Sequence, residues 1–193
     1  MSIPADDRVQ VRFSGVGGQG IVLMGRLLGK AAALYDNKEA VATQSYGPEA
    51  RGGASRSDVV ISSQPIDFPF VTEVDVLVAF FQEAYQRHRG RLARGGLMIV
   101  ESDLVKPEHD GTEICPVPAT RMAEDLGRKV VANVVMLGYL VGRTGVVSRE
   151  SLEEAIRTTV KAKVVPLDLE AVEAGIQLAR THQQQKADEA AAP

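Results

Sequence analysis

The segment VRFSGVGGQGIVLMGRLLGKAA, Val11 to Ala32, holds the pattern G-x-G-x-x-G at Gly15, Gly17 and Gly20. A short apolar run precedes it and an apolar helical repeat follows. In that setting glycines let the backbone bring N–H groups up to a phosphate, and the helix start adds partial positive charge. The N–H groups of Gly17, Gly18, Gln19 and Gly20 are therefore candidate phosphate or diphosphate donors. Two standard uses of such a turn lack their second half. A nicotinamide dinucleotide needs an acid about 20 residues further on to hold the ribose hydroxyls. Here that place holds Thr43, Gln44 and Ser45, Glu39 lies at the wrong end of the strand, and no arginine is present for a 2′-phosphate. A P-loop needs Ser or Thr after Gly-Lys. Gly29-Lys30 is followed by Ala31, and the spacing from Gly25 is one short. A tight turn that binds nothing, a nicotinamide site, and a site for another ligand or partner all stay open.

The second candidate is QSYGPEARGGASR, Gln44 to Arg56. A solvated loop needs the turn residues, but it has no need of Tyr46, Glu49, Arg51 and Arg56 packed so closely. As the exit of a second strand, the loop should lie at the same sheet edge as the glycine turn, where open α/β sheets place ligands. A Glu49–Arg51 or Glu49–Arg56 surface pair would be a bland alternative, contributing only ~0–1 kcal/mol. Elsewhere the chemistry is sparse. His88 in YQRHRG reads as a solvated helix residue, and His109 and His182 fall in polar loop and tail. Cys115, in a β-like apolar stretch, reads as buried rather than reactive. Glu101 and Asp103 follow an apolar strand and read as exposed acids or as markers of the ligand edge. Asn133 is either a helix N-cap or a side chain reaching that edge.

The elements that must position these residues alternate. Strands are expected at Arg8–Ser14, Glu39–Gln44, Ser57–Ser62, Val74–Phe80, in GGLMIVES, and at Glu113–Val117. Helices are expected at Gly20–Tyr35, Glu83–Leu92, Pro118–Leu126 and Asn133–Val141, in LEEAIRTTV with Ser148 or Ser151 as N-cap, and from Asp168 as cap to about Arg180. This is a three-layer, Rossmann-like α/β domain. Ser57–Ser62 follows the second strand without room for a crossover helix, so the sheet should be mixed but mostly parallel. The expected division is one domain over 1–182 and a disordered polar tail, QQQKADEAAAP, over 183–193.

Composition narrows the function. A net charge of −3 in 193 residues gives no nucleic-acid footprint. Met1–Gln10 is polar and unlike a signal peptide, and no apolar run reaches membrane-spanning length, so the expectation is a cytoplasmic protein without a membrane partner. One cysteine can form neither an internal disulfide nor a zinc or iron–sulfur site by itself.

GVGGQG followed by SYGPEARGG, and then by SDVVISSQPIDFPFVTEVDVLVAFFQEAY, resembles the gamma subunit of the 2-oxoacid:ferredoxin (acceptor) oxidoreductases, from about Val11 to Tyr139. The Tyr-Gly-Pro-Glu-Ala-Arg form is most similar to the 2-oxoglutarate branch. The resemblance implies oxidation of a 2-oxoacid with coenzyme A to acyl-CoA and CO2, with electrons passed to ferredoxin. It also implies thiamine diphosphate, its Mg and the iron–sulfur clusters in alpha and beta partners, with a delta chain as a further candidate. This chain has a single cysteine and no Gly-Asp-Gly segment, in keeping with a subunit that holds no catalytic residue of its own. Its contribution would be a cover over the active site and a share of the coenzyme A site, through Gly17, Gly18, Gln19, Gly20, Tyr46, Glu49 and Arg51. A purely architectural role would instead make Tyr46, Pro48 and Arg51 interface anchors. The rival readings are a free-standing NAD(P)-dependent oxidoreductase and a non-enzymatic nucleotide-binding module.

Overall fold

Residues 8–47, 53–108 and 111–191 are described in this computed structural model. The chain runs β1 (Val9–Val16), α1 (Ile21–Lys30) with a π-type turn Ala31–Tyr35, β2 (Glu39–Tyr46), β3 (Ala54–Ser62), β4 (Val74–Ala79) and α2 (Gln82–His88). It continues through β5 (Leu92–Glu101), β6 (Glu113–Val117), α3 (Ala119–Asp125), α4 (Ala132–Thr144), α5 (Arg149–Arg157) and α6 (Val165–Ala191). The strands form one sheet in the order β2-β3-β1-β4-β5-β6. β3 is antiparallel to both neighbours, and the pairs β1–β4, β4–β5 and β5–β6 are parallel. The fold is thus the expected mixed, mostly parallel α/β sheet. The short 47–53 connection permits only a hairpin, which is why β3 turns back.

One sheet face carries the main core. Val11 and Phe13, Val59 and Ile61, Val76 and Val78, and Leu97 and Ile99 pack there against α1, α4, α5 and α6. α4 is buried on nearly every side, as its unbroken apolar sequence requires. It crosses α6 so closely that a side chain at Gly175 would run into the Val135 carbonyl. The other face holds a smaller cluster, Leu77, Ala79, Met98 and Val100 under Tyr85 of α2.

Several expectations need correction. α6 does not stop near Arg180, and 183–191 is helix rather than disordered tail. Gln, Lys, Ala and Glu are good helix formers, and two contacts anchor the extension. His182 Nδ1 lies 2.9 Å from the Tyr139 hydroxyl, and Lys186 Nζ reaches Glu113 Oε1 at 2.7 Å. Asp168 is not the cap of α6. The helix starts three residues earlier, at Val165, with Pro166 in the first turn where its missing N–H costs nothing. Leu92 belongs to β5, because the helix ends at His88 and a 3-10 turn, Arg89–Arg91, leads into the strand. Ser148, the first of the two candidate caps, holds the start of α5, its Oγ accepting from Ser151 N–H at 3.1 Å.

Candidate functional site

β1 and β2 point the same way because β3 runs antiparallel between them, so their exits share one edge. The glycine turn lies there. Gly20 sits at φ 74°, a left-handed conformation that glycine adopts without strain, and hands the chain to α1. A side chain at Gly20 would also strike Asn133. Asn133 is therefore not the N-cap of α4, a position that Val131 takes, but a buried first-turn residue packed on the glycine turn.

The second loop meets the turn as expected: Gly17 N–H donates to Gly53 O at 2.9 Å, and Gly47 N–H to Ala54 O at 2.7 Å. This bond changes the list of phosphate donors. Gly17 N–H is used in joining the loops, and Gln19 N–H closes the turn on Val16 O at 3.2 Å. Gln19 also spends its side chain on the turn, Oε1 accepting from Val16 N–H at 2.9 Å. Among the described residues, the N–H groups of Gly18 and Gly20 meet no acceptor, and they lie at the amino end of α1. Tyr46 ends β2, paired with Ser55. Glu49 and Arg51, with Pro48, Ala50, Gly52 and His109, lie outside the described residues.

The dinucleotide reading meets a second obstacle. β3 separates β1 from β2, so the end of β2 stands two strand spacings, about 9–10 Å, from β1. A ribose held at the glycine turn would be far from any β2 side chain.

Four buried polar residues escaped sequence reasoning. Arg12 and Asp58 are direct cross-strand partners in β1 and β3. The guanidinium forks onto the carboxylate, Nε to Oδ1 at 2.8 Å and Nη2 to Oδ2 at 2.7 Å, and Arg56 Nε stands 3.4 Å from the same Oδ2. The signal in the sequence was a charge in the middle of each apolar strand; the register that pairs them was not readable. His88 is buried rather than solvated. It lies three residues after Tyr85, on the same helix face and against the sheet. Burial first, then the neighbouring Arg12 and Arg56 guanidiniums, push its pKa down to about 4. Glu101 is fully buried rather than exposed. It accepts from Asp103 N–H and Leu104 N–H at 2.9 Å and from Thr120 N–H at 3.0 Å, binding the end of β5 to the start of α3. Cys115 is buried, as expected.

Comparison with known proteins identifies the chain. Residues 10–178 match the family described as pyruvate ferredoxin/flavodoxin oxidoreductase. The chain belongs to this family. It is 51% identical over 178 residues to 2-oxoglutarate synthase subunit KorC of Methanocaldococcus jannaschii, covering 90% of this chain and 95% of the relative. The gamma subunit of a keto/oxoacid ferredoxin oxidoreductase from Geobacter sulfurreducens PCA superposes with a TM-score of 0.80 at 42% identity, over 90% of this chain and 99% of that one. The fold recurs, at 24% identity and a TM-score of 0.81, over 91% of this chain and 31% of a longer one. That chain is a Magnetococcus marinus 2-oxoglutarate:ferredoxin oxidoreductase with 2-oxoglutarate, coenzyme A and succinyl-CoA bound. The homologues are subunits of 2-oxoacid:ferredoxin oxidoreductases, and this membership implies partner subunits. Neither the free-standing NAD(P) enzyme nor the nucleotide-binding module finds support among them. Among the described residues, no helix is long and apolar enough to cross a membrane.

Proposed function

We propose that this chain is the gamma subunit of a coenzyme A-dependent 2-oxoacid:ferredoxin oxidoreductase of the 2-oxoglutarate branch, and that it helps form the coenzyme A site. The observation that carries the reading is the near full-length match to a 2-oxoglutarate synthase subunit. Alpha and beta partners, with delta as a further candidate, would hold thiamine diphosphate, Mg and the iron–sulfur clusters and pass electrons to ferredoxin. Coenzyme A supplies the thiol that accepts the acyl group. In this chain the N–H groups of Gly18 and Gly20 and the first turn of α1 suit its diphosphate. Arg51, in the loop joined to the turn through Gly53, suits a phosphate by forked, charge-assisted bonds. A hollow of about 500 Å3 between α1 and β2, lined by Arg26, Thr43, Gln44 and Ser57, offers room for the rest of the molecule. Tyr46 and Glu49 are proposed to shape the same loop.

The test is steady-state kinetics on the assembled complex. Arg51→Lys keeps the charge but loses the planar fork, so the KM for coenzyme A should rise about 10- to 150-fold, the loss of roughly 1.5–3 kcal/mol. The KM for the 2-oxoacid should hold. A fall in activity toward both substrates with weaker assembly in Arg51→Ala would mark an interface anchor instead. Unchanged kinetics in a fully assembled Arg51→Ala complex would remove Arg51 from both roles.

A further inference from the structure

The sheet face opposite the main core carries a second polar site, away from the α1 side of the glycine turn. A cavity of about 410 Å3 lies there, lined by Arg12, Arg56, Arg87, Arg91, Asp58 and His88, with Phe70 at its wall. It shares Arg56, Arg87 and His88 with a smaller hollow of about 140 Å3 that leads to Gly47 and the edge loop. Four guanidiniums thus face one carboxylate, and Asp58 is already bound by Arg12 and approached by Arg56. Among the described residues, Arg87 and Arg91 meet no acid. His88 is the most telling group. The residue is 9% exposed, borders both hollows, and hydrogen-bonds to no described residue. Folding leaves an imidazole without a hydrogen-bond partner on the wall of these hollows, amid mutually repelling cations, and a multivalent oxyanion would satisfy the one and neutralise the other.

The geometry points to a binding site for a phosphate monoester dianion, its oxygens received by Arg56, Arg87 and His88 and its organic remainder lying against Phe70. A planar carboxylate is satisfied by one guanidinium, as Asp58 is by Arg12. Donors converging from β3 and α2 suit the three terminal oxygens and double charge of a phosphate. The innermost groups, Arg12 at 5% and His88 at 9% exposure, are recessed beyond the reach of a convex acidic protein surface but open to a slender phosphate. Phe70, 58% exposed and edge-on to Phe68, gives a base or other flat group a surface to lie on.

The site itself does not rest on the family reading; only one possible source of the phosphate, the 3′-phosphate of coenzyme A, does. The full-length chain should be titrated with inorganic phosphate and with adenosine 3′,5′-bisphosphate, while the His88 ring resonances are followed by NMR. The expected result is saturable binding of both probes, a shift of the His88 resonances, and at least ~10-fold weaker binding in Arg87→Gln. Arg87 is exposed, so that variant should fold; Arg91→Gln provides a second. Coenzyme A against dephospho-coenzyme A separates the sources. A preference of ~10-fold or more for the form with the 3′-phosphate, in competition with inorganic phosphate, assigns the site to coenzyme A. Equal affinities without such competition, beside intact phosphate binding, assign it to a separate phosphate ester. No binding of either probe up to ~10 mM, or binding unaffected in both Arg87→Gln and Arg91→Gln, would overturn the site whatever the fate of the proposed function.

Discussion

The two faces of the sheet solve opposite problems with the same strands. On one face Val11, Phe13, Val59 and Ile61 are sealed beneath α1, α4, α5 and α6. On the other, the alternate residues of β1 and β3 are Arg12, Ser14 and Asp58, with only α2 and loops for cover. Strand alternation makes this possible, since neighbouring residues can serve a dry core and a wet cleft. Most of the core and the proposed phosphate-monoester site can therefore be assigned to different faces. The apolar face holds the domain together, and the polar face keeps buried charges that a purely structural sheet would replace with valines.

The largest effects should come from breaking each face and then attempting repair. Asp58→Ala leaves the Arg12 guanidinium buried and unpaired, at an expected cost of about 3–5 kcal/mol. Leu137→Ala, in fully buried α4, should cost a similar ~2–5 kcal/mol through lost burial and a cavity. Repair should separate them. The double variant Arg12→Met/Asp58→Leu removes both charges and should regain most or all of the wild-type stability, since buried pairs are often no better than apolar residues of like volume. It should also weaken phosphate binding. Denaturant unfolding of the single and double variants decides the matter: a double variant as unstable as Asp58→Ala would mean that the pair itself holds the fold.

The same contrast explains how much was legible from the sequence. The covered face was readable because it rests on local pattern. VDVLVAF announced a buried strand, and the apolar run Asn133–Val141 a buried helix. The turn between two hydrophobic runs announced where β1 hands over to α1, and the loop joined to it through Gly17 and Gly53 lay where the topology required. The polar face was not readable because its residues are brought together by register and packing. Arg12 and Asp58 lie 46 positions apart. His88 looks like one more polar residue in YQRHRG until Tyr85 shows which side of α2 meets the sheet. Glu101 looked like an exposed acid because the Asp103 and Leu104 N–H groups reach it only once the chain turns after β5, and the third donor, Thr120 N–H, comes from 19 positions on.

A smaller effect should appear on mild acidification. His88 has a folded-state pKa near 4 against about 6.5 when unfolded, so the unfolded chain takes up its proton first as pH falls. The stability linked to this group is fully present above about pH 6.5 and is lost progressively toward pH 4, a drop of about 2–3 kcal/mol. His88→Gln should flatten that part of the pH–stability curve. A variant as acid-sensitive as wild type would locate the sensitivity elsewhere and weaken the claim that this face holds a neutral imidazole. Bound phosphate should protect wild type in the same window, because an anion beside the ring favours its protonated form.

The smallest effect lies on the covered side and runs the other way with pH. Asp168, in the first turn of α6, is 5% exposed and accepts a hydrogen bond from no described residue. Burial raises its pKa to about 6. A carboxyl group with a raised folded pKa contributes fully below the unfolded value, near 4, and loses that contribution as pH rises through about 6. The shift alone corresponds to about 3 kcal/mol, and the dipole at the start of α6 returns roughly 0.3–1 kcal/mol to the charged form. A net penalty of about 2–2.7 kcal/mol should therefore be present at pH 8. Asp168→Asn keeps the shape without the charge and should raise Tm by about 4–11 °C at pH 8, while matching wild type at pH 4. Thermal unfolding at the two pH values measures it. A loss of stability at pH 8 would mean that the helix start holds the carboxylate more strongly than burial opposes it. That result would move Asp168 from the tolerated charges to the supporting ones, and the covered face would then share the dependence on buried charge that otherwise sets the open face apart.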